Sequence, residues 1–432
     1  MEQTPDKKTF HHYLYFLFGQ QFSMLGSMIV GFVITWWLTV ETGSVVILSI
    51  STFLMFIPQI VVTPLSGVLA DRWNRKTIIA ISDTAQALVT FLLFAFFLSG
   101  VQNVWLILGI NTLRAGLFAF QMPAVQSIIP TMIPKERLSR INGMNFLFSG
   151  LIFSIGPIIA ATLVSFFAVE HIFLIDIFTF LIAMVPLLLI KIPSIHNITE
   201  VTTKKSVSKD FKTGLLIIRM VPGLLAMIIF AMIWNFIFRP WNVLLPYFIL
   251  NTHGGTAFSL ALVMTTVSIG SITGSLITTI KKDFKHKIKI NIIGASLFFV
   301  GQIFAILAPR GNFIIMIIAL FPGAVVFPIT VSTYLAILQS AVPKDKVGRI
   351  MSIDHMISMA IAPIGALISG PLANLFGIVN LLLMCAFIGI LYPSFVWFFT
   401  KIKHLEYIKE DVEGVEEVLE DVEIVEITEI AE

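Results

Sequence analysis

The chain has 432 residues, 57% of them AVILMFWYC and only 12% Asp, Glu, Lys or Arg. Soluble domains are about 45–50% apolar and about 25% charged, so this chain has too little polar surface to cover a water-soluble enzyme and too much apolar surface to stay disordered. The formal charge of +3 hides a segregation: 12 of the 25 acids lie in residues 404–432, and the remaining bases flank apolar runs instead of forming one patch, which argues against nucleic acid as a partner.

The opening MEQTPDKKTFHHY lacks a small-residue cleavage site, so the first apolar run is expected to remain in the membrane. A spanning helix needs about 20 mostly apolar residues. Apolar runs broken by Gly, Pro or charge predict twelve of them, at 10–38, 45–70, 77–99, 103–130, 139–167, 171–192, 221–249, 257–280, 288–308, 312–339, 348–373 and 378–401. Barrel strands would alternate weakly in pieces of about 10 residues, and these runs are longer and more continuous. The single cysteine, Cys385, allows no intrachain disulfide.

One set of connections is basic: Lys7 and Lys8; Arg72, Arg75 and Lys76; Lys135, Arg137 and Arg140; Lys204, Lys205, Lys209 and Lys212; Lys281, Lys282, Lys285 and Lys287; Lys344, Lys346 and Arg349; Lys401 and Lys403. The alternate turns, near 39–44, 100–102, 168–170, 250–256, 309–311 and 374–377, offer only Arg310. Cytoplasmic loops carry the excess of Lys and Arg, so both termini are expected in the cytoplasm of a multi-pass protein of the cell membrane.

The halves echo each other. Pro134-Lys-Glu-Arg-Leu-Ser-Arg-Ile141 matches Pro343-Lys-Asp-Lys-Val-Gly-Arg-Ile350 at an offset of 209, and Gly156-Pro157 matches Ala362-Pro363 at 206. Six spans per half make the repeat parallel, related by an axis along the membrane normal. Repeats of this kind mark secondary transporters, with solute bound between the halves. The expected division is a six-helix bundle over 1–192, a basic linker over 193–220, a second bundle over 221–401 and an acidic tail over 402–432. The tail reads as an amphipathic helix or a disordered extension.

Between spans 2 and 3 lies Gly67-Val-Leu-Ala-Asp71-Arg72-Trp-Asn-Arg75-Lys76. Gly67 permits close helix approach, and an acid followed by three bases is more than topology requires. With this motif the chain resembles the major facilitator superfamily, over about residues 10–400. Gly19-Gln20, Ser23, Gly26-Ser27, Thr42-Gly43-Ser44, Leu113-Arg114, Gly116, Pro123-Ala124 and Ile175-Asp176 resemble its macrolide-efflux and enterobactin-exporter branch. The resemblance implies an all-α membrane fold of twelve helices in two six-helix bundles. It further implies a conformational latch of Gly67, Asp71, Arg72, Arg75 and Lys76, with Asp71 meeting the start of span 11 near Arg349 to Asp354. Lys281-Lys-Asp-Phe-Lys285 keeps the charge of a second such loop but not its order. Gly156-Pro157-Ile-Ile-Ala160-Ala161 resembles the family's antiporter motif, with two alanines in place of its last glycines.

Ionisable groups at membrane depth are expensive and therefore candidates for function. They are Asp83, Arg114, Asp176, Arg239 and Asp354. Asp83 and Asp354 fall near the cytoplasmic ends, where the basic-loop network is their plain setting. Asp176 lies near the outer end of span 6, as a proton carrier, a gate partner or half of a structural pair. Arg114 resembles the Arg of the family's proton-relay motif, and at its depth it should face the cavity or a carboxylate. Arg239 sits mid-span at a proline break, where freed carbonyls could accept from it.

The expected solute cavity draws on Gln20, Gln21, Ser27, Asn111, Phe118, Gln121, Trp234, Asn235, Trp241, Asn242, Thr333 and Tyr334, a wide apolar wall dotted with polar groups. That suits bulky amphipathic solutes better than sugars. No G-x-x-x-x-G-K-[ST] occurs, so ATP hydrolysis is not expected, nor is any other enzymatic activity, cofactor or metal. The expected partners are the lipid bilayer, a small hydrophobic or amphipathic solute and a coupling ion, H+, for a monomer. The expected function is drug-like efflux by alternating access in exchange for protons. Its rivals are a siderophore or lysolipid exporter and a non-transporting receptor or scaffold.

Overall fold

The computed structural model describes residues 7–134, 137–190, 214–281, 284–342 and 346–406, and among them no strand occurs. The side chains of Gly67, Asp71 and Arg72, residues 193–212 and the tail beyond 406 lie outside the described residues, and with them the core of the latch, most of the linker and most of the tail.

The helices are α1 Lys7–Thr42, α2 Val45–Arg72, α3 Arg75–Leu98, α4 Val104–Met132, α5 Leu138–Phe166, α6 Val169–Leu189, α7 Leu224–Tyr247, α8 Ala257–Ile280, α9 Lys287–Ile306, α10 Phe313–Ser340, α11 Val347–Phe376 and α12 Ile378–Phe399. Among the described residues these are twelve helices long and apolar enough to cross a membrane. Each coincides with an expected span to within a few residues. At the seventh, residues 214–220 form a separate helical stretch, and a π-turn, Phe248–Thr252, extends α7 at its other end. Pro222 and Gly223 divide that stretch from α7, with Gly223 at φ +87, where a Cβ would be strained.

Helix ends carry local caps. Asn74, Asn103 and Asn312 accept from backbone N–H groups in the first turns of α3, α4 and α10, meeting donors that the helix itself leaves open. Gly377, at φ +80, alone links α11 to α12. In a bilayer, apolar burial gives helices no reason to prefer each other over lipid, so close packing falls to small residues and buried polar contacts.

The chain forms two units. The first comprises Met1–Asn197 with Val243–Ser268 and Ala366–Leu375. Within it α1 packs on α5 and α6, α2 on α4, and α3 on α4 and α6. Gly26 is what lets α1 approach α6: a Cβ there would overlap the Thr179 hydroxyl and lie 3.0 Å from the Asp176 Cα. Gly156 likewise faces Met28 of α1, and Ala160 and Ala161 are fully buried, so the antiporter-like run is a close-packed face. At the end near the basic loops, Tyr13, Phe16, Ile79, Ile128 and Leu187 share an apolar core. The same unit holds Thr265, whose hydroxyl donates to the Ser154 carbonyl at 2.7 Å, and Gly370, packed against Val45 and Ser49.

The second unit comprises Ile198–Asn242, Ile269–Gly365 and Phe376–Glu432. In it α9 packs on α10 and α12. Its centre is aromatic: the Trp234 ring lies 5.3–5.7 Å from those of Phe238, Phe298, Phe299 and Phe327, and its indole N–H donates to the Ala295 carbonyl. Ring pairs at such distances add to packing beyond their area.

Candidate functional site

A cavity of about 640 Å³ opens inside the first unit, walled by α1, α3, α4, α5 and α6. Helical spacing builds each wall. On α1, Tyr13, Phe16, Gln20, Ser23 and Ser27 recur every three or four residues, which puts them on one face. Asp83 and Gln86 do the same on α3, Phe118, Gln121 and Val125 on α4, and Leu138, Asn142, Asn145 and Ser149 on α5. Asp176 and Phe180 close the wall from α6.

Two carboxylates lie in this wall, and their settings differ. Asp176 is 4% exposed and pairs with Arg114, whose Nη2 is 3.1 Å from Oδ2. Thr90 Oγ1 donates to the same oxygen at 2.7 Å, and Ser27 Oγ donates to Oδ1 at 2.9 Å. The charge is thus neutralised by one cation and its oxygens are met from α1, α3 and α4. Such neutralisation is the condition for holding a carboxylate out of water.

Asp83 is 3% exposed and has no ion pair among the described residues. Amides surround it instead. Gln20 Nε2 donates to Oδ2 at 3.1 Å and Gln121 Nε2 to Oδ1 at 2.7 Å. Gln121 Nε2 also reaches Gln20 Oε1 at 3.0 Å, closing a ring, while Gln86 Nε2 donates to Gln121 Oε1 at 2.8 Å and fixes which way that amide faces. The basic-loop setting expected for Asp83 gives way to this amide cluster, because α3 turns that face toward α1 and α4.

The structure brings Gln20, Gln21, Ser27, Phe118, Gln121, Asp83 and Asp176 to one cavity. Arg114 stands behind it, on Asp176. Asn111 is buried but does not line it. The second-half residues lie elsewhere. Trp234 belongs to the aromatic centre of its own unit, Trp241 is buried, Asn242 is exposed, and Asn235 and Thr333 bond their own helix backbones. Tyr334 donates to Asp354, joining α10 to α11. Arg239 is not at a break: α7 runs unbroken through Pro240, and the Arg239 stem packs where Gly365 of α11 leaves room.

At the loop motif, Arg75 Nη1 donates to the Ser127 carbonyl at 2.8 Å. Lys76 Nζ donates to the carbonyls of Leu188 and Ile190 at 2.6 and 2.7 Å. Two bases of the motif therefore tie α3 to the last two turns of α4 and to the end of α6, where the Leu188 and Ile190 carbonyls lie past the helix's own N–H donors and the dipole favours cations.

Sequence reasoning missed Gln86, Thr90, Asn142 and Asn145. The signal was available: Asp83, Gln86 and Thr90 fall at i, i+3 and i+7 in an otherwise apolar span, the spacing of one polar helix face.

The family model described as Major Facilitator Superfamily matches residues 16–365 and 242–421. The chain is 26% identical to macrolide efflux protein A of Streptococcus pyogenes over 364 residues, 83% of this chain and 89% of that protein. It is 22% identical to the multidrug efflux pump Tap of Mycolicibacterium fortuitum over 358 residues, 79% of this chain and 84% of that one. The crystal structure of a bacterial homologue of the iron transporter ferroportin, in an inward-facing state, superposes with a TM-score of 0.68 at 13% identity, covering 89% of this chain and 98% of that one, a likeness of fold. With twelve apolar helices in the structure and a family match across most of its length, this chain belongs to the major facilitator superfamily.

Proposed function

We propose that this chain is an exporter of hydrophobic or amphipathic small molecules, working by alternating access in exchange for protons. The observation that carries the reading is the cavity: about 640 Å³ of largely apolar wall with a charge-neutralised Arg114–Asp176 pair at its edge. Drug-sized ligands occupy cavities of about 300–1,000 Å³, apolar with a few placed polar groups. The relatives named for macrolide and multidrug efflux support export as its direction.

Coupling follows from the pair. A proton on Asp176 removes the negative charge that holds Arg114, and a buried guanidinium must then find another acceptor or a wetter setting. Protonation and the Arg114–Asp176 link between α4 and α6 are thereby coupled. Arg75 and Lys76 hold the loop-side ends of α3, α4 and α6 together, and Gly67, Asp71 and Arg72 belong to the same loop motif. Both termini face the cytoplasm, as the basic loops predict.

The test is uptake of a fluorescent amphipathic solute into inverted vesicles, with the lumen acidified or not. Wild type is expected to accumulate solute only under the gradient, and Arg114→Ala is expected to lose that dependence. Equal uptake under all conditions would reject both the coupling and the residue.

A further inference from the structure

Asp83 and Asp176 line one cavity, yet among the described residues only Asp176 has a cation beside it. Among the described residues, those lining the cavity include these two acids and no Lys, Arg or His. Since Arg114 balances Asp176, the cavity carries one uncompensated carboxylate. A carboxylate only accepts hydrogen bonds and has about four lone-pair sites. Gln20 and Gln121 fill one on each Asp83 oxygen, so acceptor capacity remains. Gln21 Oε1, a buried oxygen in the same wall, has no hydrogen-bond partner and adds a further acceptor.

The rest of the wall fits the same ligand. The rings of Tyr13, Phe16, Phe118 and Phe180 line the cavity, and aromatic faces attract organic cations, more strongly where water is excluded. A bare metal ion would need several oxygens at close range. An organic cation spreads its charge over a volume that matches rings and one carboxylate.

We infer that Asp83, fixed by the Gln20–Gln121–Gln86 cluster, is the recognition site for the positive charge of a monovalent organic cation. The solute class is the amine-bearing or quaternary amphipath. This rests on the export reading above and divides its machinery: Asp83 selects the solute, while Arg114 and Asp176 couple its movement to protons. Gln86 is a positioning residue, since it reaches Asp83 only through Gln121.

Tetraphenylphosphonium and tetraphenylborate test this directly, because they share four phenyl groups and differ in charge. Equilibrium binding to the purified full-length chain in detergent, corrected with protein-free micelles, should show the phosphonium at least tenfold tighter. Asp83→Asn, which removes the charge at nearly constant shape, should weaken phosphonium at least tenfold and leave borate no weaker. Asp83→Glu should recover part of the loss. Equal binding of the two ions by wild type would overturn the inference without any variant, and so would an Asp83→Asn protein that binds phosphonium normally. Charge-selective binding alongside absent flux in vesicles would sink the export reading and leave the site standing. Flux indifferent to solute charge would do the reverse.

Discussion

The Arg114–Asp176 pair makes a quantitative prediction. Its side chains are 8% and 5% exposed, with N and O 3.1 Å apart. At an effective dielectric constant of about 20, that separation corresponds to roughly 5 kcal/mol of gross attraction, most of it offset by the desolvation of both groups. Removing one partner leaves the other buried without its counter-charge. Arg114→Met strands Asp176 with only the hydroxyls of Ser27 and Thr90, and Asp176→Leu strands the guanidinium. Each single variant is expected to lose about 3–5 kcal/mol. The double variant Arg114→Met/Asp176→Leu removes both charges and should return to within about 1–2 kcal/mol of wild type. The coupling energy from the cycle is then at least about 4 kcal/mol, well above the range for independent sites. Thermal unfolding in detergent micelles at fixed pH and salt reads the order: wild type, then the double, then both singles. Additive losses, or singles as stable as wild type, would refute the claim that this charge is neutralised by this pair. Proton-driven uptake should vanish in all three variants, because the double restores packing and not the titratable link.

Three further outcomes follow from the packing. Gly26→Ala places a Cβ against the Thr179 hydroxyl and 3.0 Å from the Asp176 backbone, so α1 and α6 must separate; a loss of about 1–3 kcal/mol is expected, read as a lower unfolding temperature, together with reduced uptake. Lys76→Met removes donors from the Leu188 and Ile190 carbonyls at the end of α6, and about 0.5–1 kcal/mol should be lost, with faster hydrogen exchange at that terminus than in wild type. Trp234→Ala empties the aromatic centre of the second unit, at a cost of about 3–5 kcal/mol, and should lower the unfolding temperature while leaving phosphonium binding by the remaining folded protein unchanged.

The twelve spans and the basic loops were legible because the bilayer imposes them. Lipid offers no partner to a backbone N–H, so each crossing must be a helix of about 20 apolar residues, and that requirement is written locally in composition. Arg114 was legible for a related reason: at its depth an ionised group demands a partner. The identity of the partner was not. Arg114 and Asp176 are 62 positions apart, and Gln121 reaches Gln20 across 101. Which residues meet depends on how each helix is rotated and how closely its neighbour approaches. Glycines such as Gly26 set the approach, yet the same residue elsewhere merely turns a loop. Asp83 shows the limit best. Its position near a basic loop suggested loop electrostatics, and helix rotation placed it on the cavity among amides.

Sequence alone determined that this is a membrane-spanning helical chain, and it located every span within a few residues. Those properties are one-dimensional, because solvent selects them residue by residue along each helix. Only the tertiary structure decided that one buried carboxylate is charge-balanced while the other faces a cavity lined by rings and amides. Such a difference arises from contacts between distant helices, and distance in the chain carries no record of them.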